Sequence, residues 1–223
     1  MNQRRSVLET RALGREYGDL VALEPLDIEI PPGEMVALIG PNGAGKSTLM
    51  TLVAGLLEPS YGSAEIDGAE AGSIEARAAT SYVPDTPVLY DDLSLDEHLE
   101  YIAGMHGLED YSAKASDLLR RLGLAERGGG LPSQFSHGMR QKTSIAIGLI
   151  RPFSLLIADE PFDGLDPPSR TALFDLLREA RQGGAAVIVS THRGDVVDFS
   201  DRCLRLEEGS LTYDGPPGGA ATA

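Results

Sequence analysis

An α/β fold with a mostly parallel sheet flanked by helices is predicted by three features of this 223-residue chain. Three apolar runs of strand length, Met35-Val36-Ala37-Leu38-Ile39, Leu155-Leu156-Ile157-Ala158 and Ala185-Ala186-Val187-Ile188-Val189, each stop abruptly at glycine or polar residues. Continuous apolar runs suit strands buried on both faces, as in parallel sheets covered by helices. The first run passes straight into the glycine-rich segment Gly40 to Thr48, after which Leu49, Leu52, Val53 and Leu56 recur at helical spacing. Between the first and second runs lies a long stretch of helix signals, and the length suits one domain with lobes rather than two.

Taken in order, the first segment carries Leu8, Leu13, Val21-Ala22-Leu23 and then Leu26, Ile28 and Ile30 on alternate residues before Pro31-Pro32-Gly33, a strand followed by a turn. From Leu93 to Leu149 no buried strand is expected. Ser94-Leu95-Asp96-Glu97 forms a capping box that starts a helix running toward His106. A second helix spans Ser112 to Leu122 and stops at Gly123; a third starts just after Ser136 and continues to Ile150, before Pro152. These define an inserted helical lobe over about 85–151 of a single domain, leaving a core and β lobe over about 6–84 and 152–214. The tail from Gly215 lacks apolar content, and residues 215–223 are expected to be disordered.

Acidic residues outnumber basic ones, 34 to 19, for a formal charge of −15. No Lys/Arg run exceeds a pair, so a nucleic-acid groove is disfavoured, and the charge speaks for a solvated surface. The single cysteine, Cys203, sits in the alternating run Cys203-Leu204-Arg205-Leu206 and reads as a small buried residue. No disulfide framework exists, which fits a reducing compartment. With no transmembrane-length apolar run and no signal core after Met1-Asn2-Gln3-Arg4-Arg5, the chain is expected to be soluble and unexported. Work at a membrane then requires docking onto a partner that spans it.

In Gly40-Pro41-Asn42-Gly43-Ala44-Gly45-Lys46-Ser47-Thr48 the strand-turn-helix context is that of a phosphate-binding loop. Its glycines let backbone amides turn inward, and the helix amino end favours anions. Lys46 suits the β- and γ-phosphates, and the Ser47 hydroxyl suits Mg²⁺. Asp159 closes the second buried strand, where a metal-holding aspartate belongs, and the adjoining Glu160 is placed to act as general base. His192 ends the third strand, positioned to contact a γ-phosphate or hold the attacking water.

The order and spacing of these motifs, from about Leu8 to Gly215, resemble the ATP-binding cassette ATPases of membrane transporters. Gly40 to Thr48 looks like Walker A, Leu155 to Glu160 like Walker B with its catalytic glutamate, and Gly164-Leu165-Asp166 like the D-loop; His192 matches the switch histidine. The resemblance implies a P-loop NTPase core, an N-terminal antiparallel β subdomain and an inserted α-helical subdomain. It also implies ATP and Mg²⁺ as cofactors. Tyr17 matches the aromatic that stacks on adenine, unless it is a strand-packing tyrosine. Phe135-Ser136-His137-Gly138-Met139 stands in the place of the family signature, usually Leu-Ser-Gly-Gly-Gln, and departs from it at three positions. Ser136 and Gly138 are retained, and in this family they meet the γ-phosphate held by the opposite subunit of a head-to-tail dimer. Similar Ser-His-Gly-Met sequences occur in cassettes of the type-2 drug and polysaccharide exporter group. Asp85 occupies the place of a glutamine that contacts magnesium; it either ligates the metal or merely begins a loop. Pro87 to Asp92 borders, by resemblance, a groove for a coupling helix.

The resemblance therefore implies an ATP-hydrolysing subunit, homodimeric or heterodimeric around two nucleotides, that drives separate transmembrane permease subunits, in export, from the cytoplasmic face of the cell membrane. The alternatives are a soluble cassette ATPase acting on nucleic acid or ribosomes, and a phosphate-loop kinase. Ribosomal relatives usually carry two cassettes in one chain and DNA-repair relatives a long coiled coil, neither of which fits here; a kinase would not explain the motifs after Ser136.

Overall fold

The computed structural model describes residues 6–219. In chain order the strands and helices are β1 (Leu8–Tyr17), β2 (Leu20–Leu26), β3 (Glu29–Ile30), β4 (Met35–Ile39), α1 (Lys46–Val53), β5 (Tyr61–Ile66), β6 (Ala69–Glu70), α2 (Ile74–Ala79) and β7 (Thr80–Val83). These are followed by α3 (Leu95–Met105), α4 (Ser112–Arg121), α5 (His137–Ile150), β8 (Leu155–Ala158), α6 (Pro167–Gln182), β9 (Ala186–Ser190), α7 (Gly194–Phe199), β10 (Arg202–Glu207) and β11 (Ser210–Gly215).

Two sheets result. The six-stranded sheet has the order β11-β10-β4-β9-β8-β7, parallel throughout except for β11, which pairs antiparallel with β10. β1, β2, β3, β5 and β6 form a separate antiparallel sheet. Two hairpins close through two-residue turns with positive φ at both positions, Asp67-Gly68 (52° and 80°) and Glu208-Gly209 (48° and 82°), the backbone that matches the twist of paired strands.

The period of two along the central strands divides the interior. Leu155, Ile157, Ala186 and Ile188 face a core shared with Leu8, Leu23 and Ile30 of the antiparallel sheet and Leu49 and Leu52 of α1. Their neighbours Leu156, Ala158, Val187 and Val189 face a second core with Leu95, Leu99, Leu118, Ile145 and Leu173 from α3 to α6. Strands sealed on both faces have only their ends free for chemistry, and the carboxyl ends of β4, β8 and β9 lie side by side.

The helical lobe begins as its sequence signals. Ser94 accepts the Glu97 amide while the Glu97 carboxylate accepts the Ser94 amide at 2.7 Å, completing the capping box, and Ser136 caps α5 by accepting the Met139 amide. The lobe is tied to α6 by Ser169, which donates to the Leu122 carbonyl, and by Arg121, which forks onto Glu179 at 2.7 and 2.9 Å.

Two expectations need correction. The first apolar segment is three strands rather than one, because a turn at Gly18-Asp19 and an irregular break at Asp27-Ile28 divide it. The tail expected to be disordered from Gly215 is ordered where described: Gly215 ends β11, Pro217–Gly219 makes a turn of 3-10 helix, and the Tyr213 hydroxyl donates to the Pro216 carbonyl at 2.7 Å. Residues 220–223 lie outside the described residues.

Candidate functional site

The glycine-rich loop leaves β4 at Gly40 and enters α1 at Lys46. Two glycines are forced by close approach. A Cβ at Gly40, where φ is 148°, would lie 2.1 Å from the Leu206 carbonyl oxygen; one at Gly45, where φ is 99°, would lie 2.6 Å from that of Ala22. The loop is thus wedged between β2 and the β10–β11 hairpin, which also holds it by a hydrogen bond from the Gly209 amide to the Ala44 carbonyl at 3.1 Å; the Glu24 amide of β2 donates to the Gly209 carbonyl at 2.9 Å and ties the two walls to each other. Lys46 curls back so that its ammonium donates to the carbonyls of Gly40 and Pro41 at 2.7 and 3.2 Å. Beside the loop runs a groove of about 270 Å³ lined by Asn42, Gly43, Gly45, Lys46, Ser47 and Thr48 on one wall and Leu20, Val21 and Ala22 on the other.

Ser47 opens α1 and donates its hydroxyl to Asp159 Oδ2 at 2.9 Å, so the first helical turn and the end of β8 meet at one carboxylate. The other oxygen of Asp159 accepts from the Ser190 hydroxyl at the end of β9. Ser190 in turn accepts the Glu160 amide at 2.8 Å. Glu160 has φ 44°, a left-handed conformation unusual for a glutamate, and the Ser190 contact holds it there. Its carboxylate lies 3.1 Å from Nδ1 of His192, whose Nε2 is 3.9 Å from Asp163. Burial raises the Glu160 carboxyl above the ordinary range, with Asp163 adding to the rise and His192 and Lys46 opposing it. A carboxylate strained in backbone, sheltered from water and touching an imidazole has the makings of a general base.

Lys46, Ser47, Asp159, Glu160 and His192 are therefore brought together, as their strand ends predict. Ser190 and Asp163 join them although sequence reasoning assigned neither a role. Asp85, exposed, follows β7, whose last carbonyl, that of Val83, accepts the Asp159 amide at 2.8 Å; the residue thus stands beyond the strand adjoining Asp159. Asp159 and Asp85, behind burial, help push the intervening Tyr82 phenol up to about 12. Tyr17 does not line the groove: it sits at the β1–β2 hairpin, paired with Leu20, with the Arg15 guanidinium 4.5 Å above its half-exposed ring. Ser136 and Gly138 occupy the amino end of α5, away from the loop and against the segment after Glu160, since a Cβ at Gly138 would come within 2.5 Å of the Gly164 carbonyl oxygen. The paired hydroxyl and carboxylate at Ser47 and Asp159 are hard oxygen donors of the kind Mg²⁺ prefers, so the residues present fit that ion.

Comparison with known proteins bears on this arrangement. A family model described as "ABC transporter" matches residues 23–163. The chain is 40% identical over 191 residues to the ABC-type transporter ATP-binding protein EcsA of Bacillus subtilis, covering 84% of this chain and 77% of that protein. It is 34% identical over 211 residues to the SkfA peptide export ATP-binding protein SkfE of the same organism, covering 93% and 88%. A solved structure of the ATP-binding subunit of an ABC transporter superposes with a TM-score of 0.90 at 37% identity, covering 95% of this chain and 90% of that one.

Proposed function

Because the chain belongs to the ABC transporter family and is an ATP-binding and hydrolysing subunit of that family, we propose that two copies, or this chain and a related cassette, close head to tail around two nucleotides to drive transmembrane permease subunits in export. The observation that carries this reading is the convergence of the phosphate loop, Ser47–Asp159 and Glu160–His192 at adjoining strand ends. The phosphate chain lies along the amides from Gly40 to Thr48, with Pro41, Asn42, Gly43, Ala44 and Gly45 shaping the curve, while Lys46 exchanges its loop carbonyls for phosphate oxygens. Ser47 and Asp159, with Asp85 beyond the neighbouring strand, would hold Mg²⁺, which would supply neutralisation of phosphate charge. Glu160 accepts a proton from the attacking water, and His192 fixes the carboxylate that receives it.

Ser136 and Gly138 present a hydroxyl and amides to the γ-phosphate on the opposing copy, and Tyr17, outside the groove but paired with Leu20 of its wall, stacks on an adenine that extends past that wall. Among the described residues no helix is long and apolar enough to cross a membrane, so membrane passage is the work of other segments or chains. Exposed Val88 and Tyr90, the latter edge-on to Tyr101 at 5.8 Å, offer an apolar surface for the permease; attachment there places the chain at the cytoplasmic face of the membrane. SkfE, named for peptide export, supports the outward direction.

Light scattering on the Glu160→Gln variant tests the proposal. A shift from monomer to dimer only with ATP and Mg²⁺ supports the sandwich. A monomer in both conditions, with ATP binding confirmed separately, would mean that Ser136 and Gly138 do not close the site in this chain alone.

A further inference from the structure

The segment between Glu160 and α6 touches two parts of the molecule at once. Toward the hydrolytic pair, the Asp163 amide donates to the Glu160 carbonyl at 3.1 Å and its carboxylate faces His192. Toward the helical lobe, Gly164 packs on the first turn of α5: a Cβ there would lie 2.8 Å from the His137 ring, and the reciprocal Cβ at Gly138 would strike the Gly164 carbonyl. Asp166 receives the ammonium of Lys142, one and a half turns into α5, at 2.5 Å. The Lys142 side chain is only 14% exposed, so the ion pair sits largely out of solvent at its basic end and is screened less than a surface pair. That ammonium holds the Asp166 carboxyl below the usual range. From the α6 side, Arg170 donates to the Leu165 carbonyl at 3.0 Å.

We infer that the Lys142–Asp166 pair is a strut that fixes residues 163–166 on the amino end of α5, and that Lys142 is a positioning residue for hydrolysis by Glu160 and His192. The loop has no strand ladder of its own, and its contact with Gly138 of α5 at Gly164, where φ is 70°, is backbone on backbone with no side chain from either residue to lock it. With the strut in place, a displacement of α5 is transmitted through Asp166 and Gly164 to Asp163, and so to the imidazole beside Glu160. Without it the loop slides on the small contact between Gly138 and Gly164, and the imidazole loses its register. Misplacement of a reacting group by about 1 Å lowers rates by up to roughly 100-fold, so loss of one tie of several is expected to cost about 10-fold.

The inference rests on Glu160 and His192 being the hydrolytic pair; an unaltered chain that fails to hydrolyse ATP would overturn that reading, whereas the outcomes below address the strut alone. ATP hydrolysis is measured for Lys142→Met, Asp166→Asn, the double variant and Lys142→Arg, with asparagine chosen because it keeps the size of Asp166 and suits the N-cap position of α6, where the Asp166 side chain makes no cap hydrogen bond. ATP affinity is measured for each on the Glu160→Gln background, and thermal midpoints are recorded. Each single variant is expected to lower kcat about 10-fold with affinity changed less than about twofold, the double to be no worse than either single, and Lys142→Arg to recover most of the rate. Undiminished kcat in Lys142→Met, additive losses in the double, or affinity and midpoint falling in step with kcat would each overturn the strut.

Discussion

Ser190→Ala probes how the end of β9 holds Asp159 and Glu160. The hydroxyl is fully buried, donates to Asp159 and accepts the Glu160 amide at 2.8 Å. Alanine removes one bond to a carboxylate, worth about 1.5–3 kcal/mol, and one neutral bond worth about 1 kcal/mol, so the loss is about 3 kcal/mol. For a domain of this size that corresponds to a fall in thermal midpoint of roughly 6–12 °C. The Glu160 amide, left without its acceptor, also loses what holds the residue at φ 44°, and the carboxylate drifts from His192. We expect kcat to fall about 10- to 100-fold with a smaller change in ATP affinity, since the phosphate loop is untouched. Calorimetric melting and steady-state hydrolysis are the assays. A midpoint within about 2 °C of the unaltered chain together with kcat within twofold would refute the assignment of Ser190 as the clamp on both residues.

Glu160→Gln keeps shape and ATP binding but removes the base, so turnover falls by about 100-fold or more; an unchanged hydrolysis rate would sink the assignment. Lys46→Ala removes the ammonium from the phosphate loop and weakens nucleotide binding itself, which an equilibrium binding titration checks. With Glu160 as the proposed base, hydrolysis needs it ionised, and because burial raises its carboxyl the rate is expected to fall as pH drops through a value above that of an ordinary glutamate; Asp163→Asn, by removing a like charge, moves this acid limb to lower pH. A pH–rate profile at saturating ATP that is unmoved, or moved upward, contradicts that sign. Leu38→Ala, in β4 and fully buried, costs about 2–5 kcal/mol by denaturant unfolding.

What the sequence made legible follows from how local each signal is. β4, β8 and β9 are recognisable because burial on both faces writes itself as an unbroken apolar run, and their ends fix where Gly40, Asp159 and His192 fall. The starts of α3 and α5 are recognisable because a serine cap acts within three residues. β5, β6 and β7 escaped notice: Tyr61-Gly62-Ser63 is polar at the start of β5, β6 has two residues, and Thr80-Ser81 of β7 are buried polar groups whose partners are supplied by helices, Thr80 donating to Ala76 and Ser81 to Gly148. Asp163 and Ser190 gave no signal as site residues because their roles depend on contacts with residues distant in the chain, Asp163 with His192 and Ser190 with Asp159. A serine at the end of an apolar run, beside a strand that ends in Asp-Glu, was the clue available for Ser190. The ordered turn after Gly215 was hidden because a tyrosine hydroxyl on a backbone carbonyl, one of the contacts that hold it, leaves no sequence pattern.

The grip on the phosphate loop has a thermodynamic side. Fixing a residue's backbone costs about 1–2 kcal/mol, and a loop that orders only around its ligand meets that cost in the binding step. Here β2 and the Glu208-Gly209 turn of the β10–β11 hairpin hold the loop from behind through the Ala22 and Ala44 carbonyls, so its entropy is surrendered when the chain folds. Nucleotide association should accordingly carry a small entropic penalty, and loosening the turn at 208–209, distant from the loop in the chain, should surface as weaker ATP binding with a larger one.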